Sequence, residues 1–476
     1  MHPVGRDAGS RRVGFGSVII HDFTVKSTFF MSLGACRLKK RVLMGVAVWC
    51  AGLNIVSCGG GSTKSTHSGL PHRVLASQSV STGAIFSGLV IINGDNDTLP
   101  RIAPISSGSS PGIMAISPSR NIVATFDSGT NAVFAVDTTK ESPIGGVRLP
   151  APSSSVVVPT SNATGFAAVP GATVNGFAFL GAIEVLNFST NSFTTIAVNN
   201  AQTVVSSSTG TQLLVFSPDV DTFTVLFPGA AIPPIDTTCY TNPNQNPPNA
   251  CTIVTDSRLS RPVNAILNGT TAYILNCGSQ CGGSQPPSVA VFDMGSLTIT
   301  RTVAVDGATM ALLNSTTLYV AGTPKPPVPC PASQNTTAKT CGMLDIVDLN
   351  SMQVTSSTAI TDGYHDRMDL TTSGQVFIGS HDCTNIGNVN NPGNSEVRGC
   401  LSIYRTADGS VVFPPDNGDV TGLQGFTTRD VEYVVENGEL RVYDTTKDIL
   451  LINDFVPQGT IDVIGQTGDV KAIDFF

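Results

Sequence analysis

The sequence predicts an all-β fold, and three observations carry that prediction. Ser, Thr, Asn, Gly and Val are frequent, only 13% of the residues are charged, and no long charged helical segment appears. Short alternating apolar runs recur along the chain. Turn dipeptides such as Asn268-Gly269, Ser373-Gly374 and Thr467-Gly468 join neighbouring runs. Four short strands repeated at about 40–55 residues read as the blades of a single β-propeller.

The elements follow in order. One strand of each unit is an alternating run that often ends in Asp: "VIING" near 90, "VFAVDTTK" at 133–140, "IEVLNFST" at 183–190, "FTVLF" at 223–227, "VAVFDMGS" at 289–296, "LDIVDLNS" at 344–351, "LSIYRTAD" at 401–408 and "LRVYDTTK" at 440–447. A hairpin precedes most of them, as in "GIMAISPSRNIVATF", "VNAILNGTTAYIL" and "RMDLTTSGQVFIG". A polar strand such as "TITRTVAV" completes the unit. This gives eight four-stranded blades, or seven if the compressed unit at 201–227 is not counted. The N-terminal end supplies two strands near 88–105 and the C-terminal end a hairpin at 461–474. Shared, they build one blade and close the ring, which removes the exposed sheet edges.

The repeat resembles the YVTN family of propellers, most closely in "SPGIMAISPSRNIVATFDSGTNAVFAVD" at 110–137. The other units are degenerate, so the resemblance implies the fold more than an activity. The activity it implies is that of the propeller lactonases, whose site needs acidic and His ligands converging from several blades.

The N-terminal end has its own pattern. Arg37, Lys39, Lys40 and Arg41 precede an apolar stretch from Val42 to Val56, then Ile55-Val56-Ser57-Cys58, then Gly59, Gly60, Gly61 and Ser62. This resembles a bacterial lipoprotein signal, in which Cys58 becomes the lipidated first residue. The stretch is short for a transmembrane helix. The expected organisation is a signal peptide at 1–57, a lipidated Cys and tether at 58–82, and the propeller at 83–476. Residues 1–30 precede Met31 and read as a mis-called start. Gly59 after the Cys points to an outer-membrane destination, with the membrane reached through the N-terminal lipid.

Residues 58–476 carry 18 Lys+Arg and 32 Asp+Glu. An acidic surface repels phosphate backbones, so no nucleic-acid partner is expected. A monomer is expected, with a protein or polymer as ligand. The one Trp, Trp49, lies in the signal, which weighs against aromatic sugar platforms and quinone-type propellers.

Eight cysteines remain after Cys36, Cys50 and Cys58: Cys239, Cys251, Cys277, Cys281, Cys330, Cys341, Cys383 and Cys400. In an exported chain an even count reads as disulfides, and neighbours are expected to pair, although the sequence alone leaves every connectivity open. A metal site is the rival reading, but no C-x-x-C occurs. The long connections at 276–288, 321–342 and 380–400 follow the inner hairpins and fall on one face of the disc. The Cys239/Cys251 insertion is expected there too, so that all four pairs staple loops on one side, where binding is usually placed.

His365 and His381, the only His of residues 83–476, flank the hairpin "YHDRMDLTTSGQVFIGSHDC". With Ser373-Gly374 as a two-residue turn, Asp366 falls opposite His381 and His365 opposite Asp382, with Arg367 and Asp369 close by. The set can be cross-strand ion pairs, a ligand or divalent-metal site, or an oriented general base. No G-x-S-x-G, H-E-x-x-H, phosphate loop or C-x-x-C-H occurs, and "NGDND" at 93–97 and "SPDVD" at 217–221 lack calcium-loop spacing. No catalytic residue and no cofactor are assigned. The expected function is non-catalytic binding or scaffolding through the stapled face, with a lactonase-like enzyme as the alternative.

Overall fold

The computed structural model describes residues 67–79, 87–160, 162–174, 180–229, 235–241, 251–330, 340–384, 386–387, 397–414, 418–451, 459–463 and 465–474. The signal peptide, Met31 and Cys58 lie outside the described residues.

Antiparallel sheets repeat around a central channel. Blade 1 pairs Pro111–Ile116, Ile122–Asp127, Ala132–Asp137 and Ser142–Arg148 in chain order. Blades 2 to 7 span 155–197, 203–255, 262–304, 310–360, 364–412 and 420–450. Blade 8 joins the two ends, with Arg73–Ser79 between Gly88–Asn93 and Gln466–Ala472. A bridge from Leu89 to Ile105 extends its outer edge.

Eight blades in a closed ring must make eight blade-to-blade contacts, whereas an open arc makes seven. The core meets this requirement: eight hydrophobic clusters each draw from two neighbouring blades, including one between blades 7 and 8 and one between blades 8 and 1. Middle strands touch both neighbours, so Ile122–Asp127 and Val431–Glu436 are buried along their whole length. The outermost strand Thr298–Ala304 buries only Ile299 and Val303 and exposes the rest, as a one-sided strand does.

The Asp that ends so many apolar runs caps the turn into the outermost strand. Asp137, Asn187, Asp293, Asp348 and Asp444 each accept a hydrogen bond from the backbone N–H two residues on. The residue four positions on adopts positive φ in each case: Glu141, Asn191, Leu297, Met352 and Asp448. At Asp137, burial pushes the carboxyl up, and the donors from Thr139 and Lys140 outweigh it and hold it at about 2. Asp137→Ala should therefore lower stability by about 1 kcal/mol near neutral pH, read as a lower urea midpoint with an unchanged slope.

Two features differ from the sequence reading. Arg73–Ser79 is a buried strand, not tether, and of the C-terminal hairpin only Gln466–Ala472 enters the closing blade; Thr460–Ile461 pairs in blade 7. The unit at 201–227 is a full blade whose fourth strand, Cys251–Thr255, is delayed by an insertion. That insertion also lays Ile235–Asp236 parallel on the outer strand of blade 2.

All four disulfides join sequence neighbours: Cys239–Cys251, Cys277–Cys281, Cys330–Cys341 and Cys383–Cys400. Such a set belongs to an oxidising, extracytoplasmic compartment. Three of them staple the upper face, where the innermost strands begin and the second strands end. Cys239–Cys251 does not. Cys251 lies opposite Leu226, which lies opposite Leu213, beside the hairpin turn of the lower face. The insertion sits between the third and fourth strands, a connection that returns on that lower side.

Candidate functional site

A cavity of about 540 Å³ occupies the upper mouth of the channel. Its wall is built mainly from the first residues of the innermost strands of blades 1 to 6, with Phe216, Pro218 and His381 at or just beyond the ends of second strands, because both meet at that face. Ser155, Thr203, Asn264 and Thr309 come from blades 2 to 5, and Tyr364, Asp366, Arg367 and His381 from blade 6. One side is neutral and rich in hydroxyls and amides; the other carries all the charge.

The blade 6 hairpin does not use the two-residue turn. Thr371 donates to the Gln375 carbonyl and Gly374 to the Thr371 carbonyl, which leaves a three-residue loop with Gly374 at φ +86°. Leu370 then faces Val376. A second shift falls between His365 and Arg367, so Asp366 is a bulge residue. His365 lies opposite Ser380, and Tyr364 opposite His381.

These shifts divide the five residues singled out in the sequence. Asp366, Arg367 and His381 reach the cavity. His381 Nδ1 stands 3.6 Å from Asp366 Oδ2, an ion-pair distance rather than a short hydrogen bond. Asp366 and, against it, partial burial set the His381 imidazole above its ordinary value. Arg367 Nη1 lies 3.1 Å from Asp366 Oδ2. Its Nε donates to the Thr421 carbonyl at 2.7 Å and its Nη1 to the Asp366 carbonyl at 2.9 Å, which fixes the guanidinium. Asp366 Oδ1 is buried and has no hydrogen-bond partner among the described residues. Tyr364 packs on the His381 ring, centroids 5.2 Å apart, and burial pushes its hydroxyl up to about 12.

His365 and Asp382 do not line the cavity. His365 is fully buried, its Nε2 is 2.9 Å from the Thr361 carbonyl, and burial pushes its pKa down to about 4, so it is neutral and structural. Asp382 takes φ +54° and donates its backbone N–H to Asp419. Asp369 is not close to them either. It lies toward the lower end of the same strand, where Gly425 and Leu370 donate to its carboxyl and burial pushes it up. Among the described residues no group of three or more His, Cys, Asp or Glu is placed to hold a metal ion.

The sequence reading missed the neutral wall. Gln202, Thr203, Asn264 and Thr309 are ordinary among many Ser, Thr and Asn, and only their place at the start of an innermost strand distinguishes them.

No family model matches the chain, and no curated protein matches it. Among solved structures it is similar to "Dihydro-heme d1 dehydrogenase NirN in complex with DHE", at 12% identity and a TM-score of 0.55, covering 85% of this chain and 75% of that one. It is also similar to a structure titled "Structure of Dos1 propeller", at 10% identity and a TM-score of 0.48, covering 76% and 87%. At such identities the likeness is one of architecture, and by architecture this chain is an eight-bladed β-propeller.

Proposed function

We propose that the chain is an exported, lipid-anchored binding protein that takes a ligand at the upper mouth of its channel. The observation that carries this reading is the cavity of about 540 Å³, open on the face that bears three disulfide-stapled loops. A rigid ring with polar side chains converging from several blades is preorganised for binding. In the same reading, Cys58 carries the lipid, the outer membrane is the destination, and the protein acts as a monomer on a protein or polymer of the envelope. The match of "SPGIMAISPSRNIVATFDSGTNAVFAVD" to the first three strands of blade 1 supports a YVTN-type repeat.

A lactonase-like enzyme is the second reading, favoured by the His381–Asp366 pair in the cavity. A guanidinium on Asp366 opposes a divalent cation there. The two readings separate in one experiment on the full chain with its disulfides intact. Metal content and lactone hydrolysis are measured beside ligand-induced thermal stabilisation by soluble envelope polysaccharide and peptide fragments. Saturable stabilisation with no turnover supports binding. Stoichiometric metal and turnover, both lost in His381→Ala, would establish the enzyme instead.

A further inference from the structure

We propose that the upper mouth of the channel is a receptor for hydroxylated carboxylates, with the uronic acid end of an acidic polysaccharide as its ligand. The proposal rests on the binding reading and names the chemistry that the site selects.

The carboxylate is recognised by Arg367. The whole chain has net charge −8, yet the cavity exposes a guanidinium. Two of its three nitrogens are committed, Nε to Thr421 and Nη1 to Asp366. Nη2 has no protein partner among the described residues. A guanidinium held in one plane with a free nitrogen is the donor that planar oxyanions fit. His381, 38% exposed beside it, adds a second donor.

The hydroxyls are recognised by the rest of the wall. The Asp366 side chain is 31% exposed at the cavity while its Oδ1 is closed off from solvent, so Oδ2, beside Arg367 and His381, is the acceptor that a ligand O–H can reach. Across the channel, the Gln202 and Thr203 side chains make no hydrogen bond among the described residues, and Asn264 has only a 3.8 Å contact from Nδ2 to the Met310 sulfur and a bond from the Ala265 backbone N–H to Oδ1. Ile113 and Pro218, both half-buried, supply apolar surface at the wall, which suits the C–H faces of a pyranose. A plain inorganic anion would leave the neutral wall unused, and the cavity falls in the ~300–1,000 Å³ range of pockets that enclose sizeable organic ligands.

The test is isothermal titration of the full chain with three probes: digalacturonate, the same disaccharide with its carboxyls reduced to alcohols, and N-acetyl-Ala-Ala. Digalacturonate should bind about tenfold or more tighter than either of the others. Arg367→Gln should abolish that preference. His381→Gln, which removes a half-exposed imidazole packed on Tyr364 within blade 6, should weaken digalacturonate selectively, with the melting temperature read alongside to separate any loss of stability. Equal binding of the reduced disaccharide would overturn carboxylate recognition, and equal binding of the peptide would overturn hydroxyl recognition; both would leave the binding reading standing. Binding of none of the three, while another envelope fragment stabilises the protein, overturns the proposal alone. No stabilisation by any fragment overturns both.

Discussion

Arg73→Leu is expected to destabilise the protein by about 3–5 kcal/mol at pH 7.5, the usual cost of removing one partner from a buried ion pair. Arg73 sits in the strand that the N-terminal end lends to blade 8. Its Nε and Nη2 grip both oxygens of Asp474 at 2.8 and 2.9 Å, and its Nη1 reaches Glu141 at 2.9 Å and the Thr138 carbonyl at 2.6 Å in blade 1. Leucine would leave the Glu141 side chain, 1% exposed, without its Arg countercharge and with only the exposed His67 imidazole 3.7 Å away. Burial pushes the Glu141 carboxyl up, and donors from Ser68 and Arg73 outweigh it to hold it low. A depressed folded pKa contributes stability above the unfolded value of about 4.3, and that stability is lost as pH falls through the folded value. The penalty in Arg73→Leu should therefore shrink when the urea titration is repeated at pH 4. A loss under about 1 kcal/mol at both pH values would mean that strand pairing and the apolar contacts of blade 8 close the ring without the ion pairs.

The parts of this fold that were legible in the sequence are those specified locally. Strand runs ending in Asp137, Asp293 or Asp444 announce both a strand and its cap within a few residues. Cysteines 4 to 17 residues apart pair with their neighbours for the same reason. What was missed depends on distant partners. Arg73–Ser79 looks like the end of a polar tether until Gln466–Ala472 arrives beside it. Nothing local in the sequence places Cys239–Cys251 on the lower face, because that depends on Cys251–Thr255 finishing blade 3 beside Thr222–Leu226. In the candidate site, the residue types on blade 6 were visible, but their division was not. Neither the three-residue loop at Gly374 nor the bulge at Asp366 has a sequence signal strong enough to fix the register. A single slip exchanges the buried face for the exposed one, and here it decides that His365 goes inside while His381 reaches the cavity.

Glu432→Met is expected to stabilise the protein at pH 8 by about 1–4 kcal/mol, the range for replacing a buried, poorly compensated ionisable group with an apolar one of similar size. Glu432 is fully buried in the second strand of blade 7, and neither carboxyl oxygen meets a donor at ordinary hydrogen-bond geometry among the described residues, the Gln424 backbone N–H being only marginally placed. It lies opposite Gly425, where a methyl group would meet its Oε2 at 2.9 Å and Asp369 Oδ2 at 3.5 Å, so the two acids share one crowded space. Burial first, and the Asp369 charge second, push the carboxyl well above its ordinary range, against the Gln424 backbone N–H and the weaker influence of Lys471. A raised folded pKa means that Glu432 keeps its proton in the fold while the unfolded chain releases it. Its contribution is intact below the unfolded value of about 4.3 and falls as pH rises from there toward the folded value. The advantage of methionine should thus be small at pH 4 and grow toward pH 8. The difference between the two urea-stability curves isolates this effect, because other groups titrate in the same window. Glu184, pushed up to about 7 by burial, acts in the same direction, and His365, pushed down to about 4, acts in the opposite one. A gain that did not vary with pH would assign the benefit to packing alone. A loss of stability at pH 8 would show that Glu432 is ionised in the fold and that Lys471, or a bound cation, compensates it.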